Sequence, residues 1–227
     1  ERITESARRI LLSKTRVNLH RERLVNLDKI SSSVGTSENY GEAKAIATEC
    51  LTLAKDEKNL IPIPAAKKVT ILTISNREGN SMLSRGLFSF PEEVRKRSTN
   101  VVDFTLSDSL REDEVVKAFE LARNSDVVVV AAYGRIVLSS GTVELPEAHT
   151  KFLEQLAAQN PNIILVSFGN PYIGGSVPGI PTYVCAYDNA KALQDAAADA
   201  LFGKAHFKGK LPITVSESMK YGSGLMR

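Results

Sequence analysis

The sequence predicts a three-layer α/β/α sandwich with a mostly parallel sheet, preceded by a helical arm. Three observations point there. Val127–Ala132 and Ile163–Val166 are apolar throughout. A strand without alternation is buried on both faces, as in a parallel sheet covered by helices. Segments with helical periodicity separate the strands, the rhythm of an α/β fold. A polar stretch from Asn18 to Gly35, ending in Ser31-Ser32-Ser33 and Gly35, separates the first helix from the rest. It sets the expected boundaries at 1–35 for the arm and 36–227 for the sandwich.

The elements follow in order. Residues 1–19 read as a helix with Ile3, Ala7, Ile10, Leu11 and Val17 on one stripe. That stripe is too narrow to hold a helix alone and calls for a partner surface. A second helix is expected from Ser37 to Ala54, with Tyr40, Ala43, Ile46, Ala47 and Cys50 inward. Val69–Ile74 reads as a strand, and Ser81–Arg97 as a helix broken by Pro91. Val101–Thr105 is the next strand. Leu110–Arg123 is a helix with Val115, Ala118, Phe119 and Ala122 inward. The strand at 127–132 leads to a helix from Pro146 to Ala158, with proline suited to its first turn. Strands at 163–166 and Tyr183–Ala186 follow. The next helix turns Leu193, Ala196, Ala197, Ala200 and Leu201 inward. Asp188 or Asn189 can cap its start and Gly203 can close its end. Leu211–Val215 reads as a last strand.

The totals narrow the function classes. The 227 residues include 43% hydrophobic and 24% charged side chains, with a net charge of +3. That is ordinary for a globular chain able to bury a core. The basic residues are scattered, so no nucleic-acid footprint is expected. No run approaches the ~18 apolar residues of a membrane span, and no signal peptide is visible. The chain begins in a helix-like pattern without Met, so a fragment of a longer protein is expected. Cys50 and Cys185 lie in apolar stretches and are expected to be buried thiols.

In an open α/β sheet, ligands bind beyond the carboxyl ends of the strands. Four loops qualify: 75–80, 133–142, 167–175 and 187–189. None carries a dinucleotide or phosphate-loop glycine pattern. Gly174-Gly175-Ser176-Val177-Pro178 lacks the last glycine of a nucleophile elbow and does not directly follow a strand. His20, His149 and His206 share no ligand spacing, so no metal site is expected, and no cofactor is implied. His149 falls on the stripe with Leu145, Phe152 and Leu156 and is expected to pack there. Of the carboxylates near strand ends, Asp188 suits a helix cap and Glu144 a helix start. Glu78 has no obvious local role.

Several segments together carry a resemblance. Residues 128–134 read Val-Val-Val-Ala-Ala-Tyr-Gly, and 167–172 read Ser-Phe-Gly-Asn-Pro-Tyr. Residues 201–215 hold Leu-Phe-Gly-Lys-Ala and then Lys-Gly-Lys-Leu-Pro-Ile-Thr-Val. Upstream stand Ser-Ala-Arg-Arg-Ile-Leu-Leu at 6–12 and Leu-Ala-Lys-Asp, then Leu-Ile-Pro, within 47–62. In this order they resemble the C-terminal domain of glycoside hydrolase family 3 with its lead-in helix. The resemblance covers nearly the whole chain.

The resemblance implies a partner, an N-terminal (β/α)8 barrel that carries the nucleophilic Asp and most sugar contacts. The arm at 1–35 then looks like the connection from that barrel. Retaining hydrolysis needs a nucleophile and an acid/base. In the β-glucosidases of the family, the acid/base Glu comes from the loop after the central apolar strand. Here that loop, 133–142, contains no carboxylate. Neither its Arg nor its Ser side chains can donate a proton as a tuned Glu can. The sequence is therefore closer to the β-N-acetylhexosaminidase branch, where a His on a barrel loop, assisted by an Asp, takes that role.

The expectation is thus a non-catalytic C-terminal domain, inactive alone, that supports the barrel and lines one side of a carbohydrate cleft. The cleft candidates are Arg135, Asn170 and, as a stacking surface, Tyr172. Each also has a purely structural reading: an ion pair, a turn and packing. Two rivals stand beside this. One is a β-glucosidase domain whose acid is Glu78 or Glu144. The other is a free-standing binding module. The residues leave the compartment open; the resemblance implies the cell envelope or exterior.

Overall fold

The structure is a computed structural model that describes residues 1–75, 88–134 and 145–227. The chain forms two compact units, Glu1–Glu42 and Ala43–Arg227.

The first unit opens with α1 (Arg2–Arg16), where Glu5 pairs with Arg8 and Arg9 one turn on. None of its residues is buried. A 3₁₀ turn (Leu27–Lys29) begins where the Asn26 side chain accepts from the Asp28 amide, and α2 (Ile30–Ser33) follows at once. The polar stretch therefore contains short helical turns. α3 (Ser37–Cys50) runs across the boundary between the units.

The second unit holds one six-stranded sheet. Its strands are β1 (Thr52–Asp56), β2 (Val69–Ser75), β3 (Val101–Thr105), β4 (Val127–Tyr133), β5 (Ile163–Ser167) and β6 (Thr182–Cys185). The spatial order is β1-β6-β5-β4-β2-β3. All pairs are parallel except β1 with β6. β4 and β5 lie at the centre with every residue buried, as their unbroken apolar composition requires.

The helices are α4 (Phe90–Arg95), α5 (Glu112–Arg123), α6 (Glu147–Gln159), α7 (Ile173–Ser176) and α8 (Lys191–Leu201). Successive β4 side chains point to opposite faces. Val128, Val130 and Ala132 join one core cluster with Ala118 and Ala122 of α5 and Phe152, Leu153 and Leu156 of α6. On the other face Tyr133 reaches α8, which packs against α4. The three layers are thus α5 with α6, the sheet, and α4 with α8.

Several elements differ from the sequence reading. The helix expected to reach Ala54 stops at Cys50, and Thr52–Asp56 pairs as an edge strand with β6. Here strand pairing and burial of Leu51 and Leu53 override local periodicity. Within α3, Ala47 is buried but Ile46 is exposed. Pro91 does not break a helix; it stands in the first turn of α4, where a missing N–H costs nothing. In α8, Gln194 is buried and Leu193 only half-buried. Gly203 closes that helix at φ +71, as expected.

The strand expected at Leu211–Val215 does not form. Instead Leu211 bonds to Ser223, Gly222 to Leu211 and Val215 to Met219, so this segment turns back on the tail. The tail then covers the outer edge of β1. Gly209 donates to the Leu51 carbonyl and Leu225 to Leu53. Arg227 pairs with the fully buried Asp56 carboxylate at 2.6 Å. An edge so covered offers no template for another chain.

Candidate functional site

The strand order fixes where a ligand can bind. From β2 the chain crosses to β3 on one side; from β4 it moves to β5 on the other. The connections from β2 and β4 therefore diverge, and the crevice of an open α/β sheet opens at such a switch point. Ser75 and Tyr133 are register partners at the carboxyl ends of those two strands. They are the roots of the first two loops singled out from sequence.

The β4 root is locked to β5. The Gly134 carbonyl accepts from the Asn170 amide, and the Ala132 carbonyl from Phe168. Gly169, at φ +153, approaches so closely that a Cβ would collide with the Gly134 carbonyl. Only glycine fits there. This explains the Phe-Gly-Asn order in physical terms.

Asn170 is buried. Its Oδ1 accepts from the Tyr172 amide at 3.0 Å, and its carbonyl accepts from Ser167 Oγ at 2.8 Å. This is an Asx turn that starts α7. Tyr172 caps that helix with 40% of its surface exposed. Arg135 lies outside the described residues, as do Glu78 and Glu144. The structure thus brings Asn170 and Tyr172 into one turn, bonded to the residue that precedes Arg135.

Behind the β2 root, Ser75 Oγ donates to Asp108 at 2.8 Å. His149, in the first turn of α6, is buried with Leu145, Phe152 and Leu156, as its stripe predicts. Among the described residues neither ring nitrogen makes a hydrogen bond of good geometry, the Ser75 carbonyl being a weak neighbour only. Burial pushes the imidazole pKa down, against the weaker pulls of Asp108 and the Ser75 backbone carbonyl. The ring is therefore held toward its neutral form.

Aromatic rings fill the space beneath the β4 and β5 roots. Tyr133 stacks on Phe168 with centroids 5.0 Å apart, Phe168 meets Phe90 at 5.0 Å, and Phe88 meets Tyr133 at 4.3 Å. Burial pushes the Tyr133 phenol well above its ordinary pKa, so it stays protonated and donates. Its acceptor is Gln194 Oε1 at 2.7 Å. Sequence reasoning missed Gln194. The available signal was a lone amide within the alanine-rich run 192–200.

Among the described residues no group of three His, Cys, Asp or Glu side chains could hold a metal ion. No helix among them is long and apolar enough to cross a membrane. Cys50 and Cys185 are free thiols, the first half-buried and the second buried. Burial raises the Cys185 pKa to about 12, which leaves it inert as a nucleophile at neutral pH.

The sheet is doubly wound, with glycine, amide and aromatic groups at its switch point. Residues 51–224 match the model of the Glycosyl hydrolase family 3 C-terminal domain, and the chain belongs to that family. It is 24% identical over 224 residues to a "Beta-N-acetylglucosaminidase/beta-glucosidase" of Cellulomonas fimi, covering 94% of this chain and 39% of the relative. It is 23% identical over 252 residues to the "Thermostable beta-glucosidase B" of Acetivibrio thermocellus, covering 97% of this chain and 33% of the relative. A solved glycoside hydrolase family 3 beta-N-acetylglucosaminidase from Paenibacillus sp. str. FPU-7 superposes with a TM-score of 0.74 at 25% identity. That match covers 95% of this chain and 40% of the solved one. The chain thus spans well under half the length of the relatives it matches.

Proposed function

We propose that this chain is the non-catalytic C-terminal domain of a family 3 β-N-acetylhexosaminidase. It supports a (β/α)8 barrel in the same protein and lines one side of the substrate cleft. The arm at 1–35 is the connection from that barrel. The observation that carries the reading is the loop after β4: residues 133–142 hold no carboxylate, so the domain lends no tuned proton donor from that position. The names of the Cellulomonas and Paenibacillus relatives support the same substrate class. Arg135, Asn170 and Tyr172 are the side chains proposed to border the sugar. Asn170 acts there by holding its turn, and Tyr172 by its exposed ring.

The test is an assay of this chain, with and without the full-length protein as a control, on a chromogenic N-acetylglucosaminide. Turnover is expected only from the full-length protein. Turnover by the 227-residue chain alone refutes the assignment of chemistry to the barrel. The name of the Acetivibrio relative favours a second reading, a β-glucosidase domain whose acid is Glu78 or Glu144. Replacing both by Gln in the full-length protein leaves hydrolysis of glucosides with poor leaving groups unchanged if that reading is wrong.

A further inference from the structure

The carboxyl edge of the sheet is tied together through one side chain that none of the cleft candidates includes. Gln194 lies in the first turn of α8 and is 1% exposed. Its Oε1 accepts two hydrogen bonds: from the Tyr133 hydroxyl at 2.7 Å and from the Phe90 amide at 2.8 Å. Its Nε2 donates to the Asn189 carbonyl at 2.6 Å.

Each partner marks a different connection. Tyr133 ends β4, two residues before Arg135. Phe90 begins α4, the first described helix after β2 in the chain. Asn189 lies in the connection from β6 to α8. The Phe90 amide is an orphan donor at a buried helix start, which demands a partner. The Ser89 side chain makes no cap bond there, so the amide of Gln194 does what a cap would do. Both ends of the amide are thus used, and its two functions cannot be exchanged for those of an apolar side chain.

We propose that Gln194 is a positioning residue for the substrate cleft: it holds the end of β4 at Tyr133, the start of α4 at Phe90 and the turn before α8 at Asn189 at fixed spacing from one another. This rests on the reading that the carboxyl edge faces the sugar. The chemistry belongs to the barrel, so Gln194 acts on substrate binding and not on bond cleavage. Losing it lets the cleft walls shift while the nucleophile stays in place.

The experiment compares Gln194→Leu, Gln194→Glu and Tyr133→Phe in the full-length protein, by kcat and KM on the chromogenic N-acetylglucosaminide and by thermal midpoint. Gln194→Leu removes all three bonds and is expected to raise KM on the order of tenfold with kcat little changed. Tyr133→Phe keeps the ring stacking and is expected to raise KM about twofold to threefold. Gln194→Glu supplies the acceptor but donates to Asn189 only when protonated. Its KM is expected near wild type at acid pH and to rise with pH through a carboxyl pKa that burial raises. A purely structural residue would lower the midpoint and leave KM and its pH profile alone.

Folded variants with wild-type KM at all pH values overturn the proposal. If Gln194→Leu does not fold, the other two variants decide. If the wild type cleaves only a glucoside, the hexosaminidase reading falls and the same comparison runs on that glucoside. Hydrogen exchange at the Phe90 amide of this chain needs no substrate. Exchange as slow in Gln194→Leu as in wild type also overturns the proposal.

Discussion

α1 and α8 are both amphipathic, yet they meet opposite fates. α1 carries Ile3, Ile10, Leu11 and Leu12, and buries none of them. α8 is rich in alanine and buries Ala192, Ala196, Ala197, Ala198, Ala200, Leu201, Gln194 and Asp195. Apolar content does not decide burial; an available surface does. The small side chains of α8 let it pack against α4, where even an amide and a carboxylate find partners. The large side chains of α1 have no such surface within the first unit. This is the physical ground for assigning the arm to a neighbouring barrel in the proposed reading.

A cavity in the second unit should cost the most stability. Leu165 is fully buried at the centre of β5. Leu165→Ala is expected to cost about 2–5 kcal/mol in a urea unfolding series on this chain. A loss near zero would mean the core is not packed as described.

A middle effect is expected at the charged cluster that joins α3, α4 and α8. Asp195 and Asp199 receive Lys44 at 2.9 and 2.7 Å, and Arg97 pairs with Glu93, Asp195 and Asp199. Burial alone would raise the Asp195 pKa. Its bonds to Lys44 and Arg97 outweigh burial and bring it from 3.8 to about 2. A carboxyl with a depressed folded pKa adds stability that is present above its unfolded pKa and lost as pH falls through its folded pKa. The window is therefore pH 4 down to about 2. Asp195→Asn is expected to cost on the order of 2 kcal/mol at neutral pH. Its gap from wild type should close across that window. A gap that is constant from pH 7 to 2 contradicts the ion-pair account.

The smallest effect belongs to the arm. Ile10 is 57% exposed. Ile10→Ala is expected to change the stability of this chain by less than about 0.5 kcal/mol. In the full-length protein the same change should lower the thermal midpoint visibly, because the proposed barrel surface would bury the side chain. An equal null effect in both would argue against a seated arm.

The sheet shows why some features are legible in the sequence and others are not. β4 and β5 announce themselves, since an unbroken run of Val, Ile and Leu has no solvent face to supply. The turn at Gly169-Asn170-Pro171 is legible too, because glycine reaches positive φ, asparagine bonds the backbone two residues on and proline fixes φ. The first residues of β1, 52–54, read as the end of a helix because so short a run carries no strand signal. Its partner, β6, lies more than a hundred residues away in sequence. Leu211–Val215 was read as a strand for the opposite reason, a β-rich pattern whose partners turned out to be the tail.

The amino-acid order alone fixes the class of fold, the family and the lack of a carboxylate within 133–142, because these depend on residue type and position along the chain. Which residues meet is set only when the layers pack. Gln194 joins Tyr133 and Phe90 from 61 and 104 residues away. Ser75 faces Tyr133 because the strand order reverses between β2 and β4. Hydrogen bonds are directional and short-ranged, so such contacts exist only once the layers have packed. A linear pattern records the capacity to make them but not the partner.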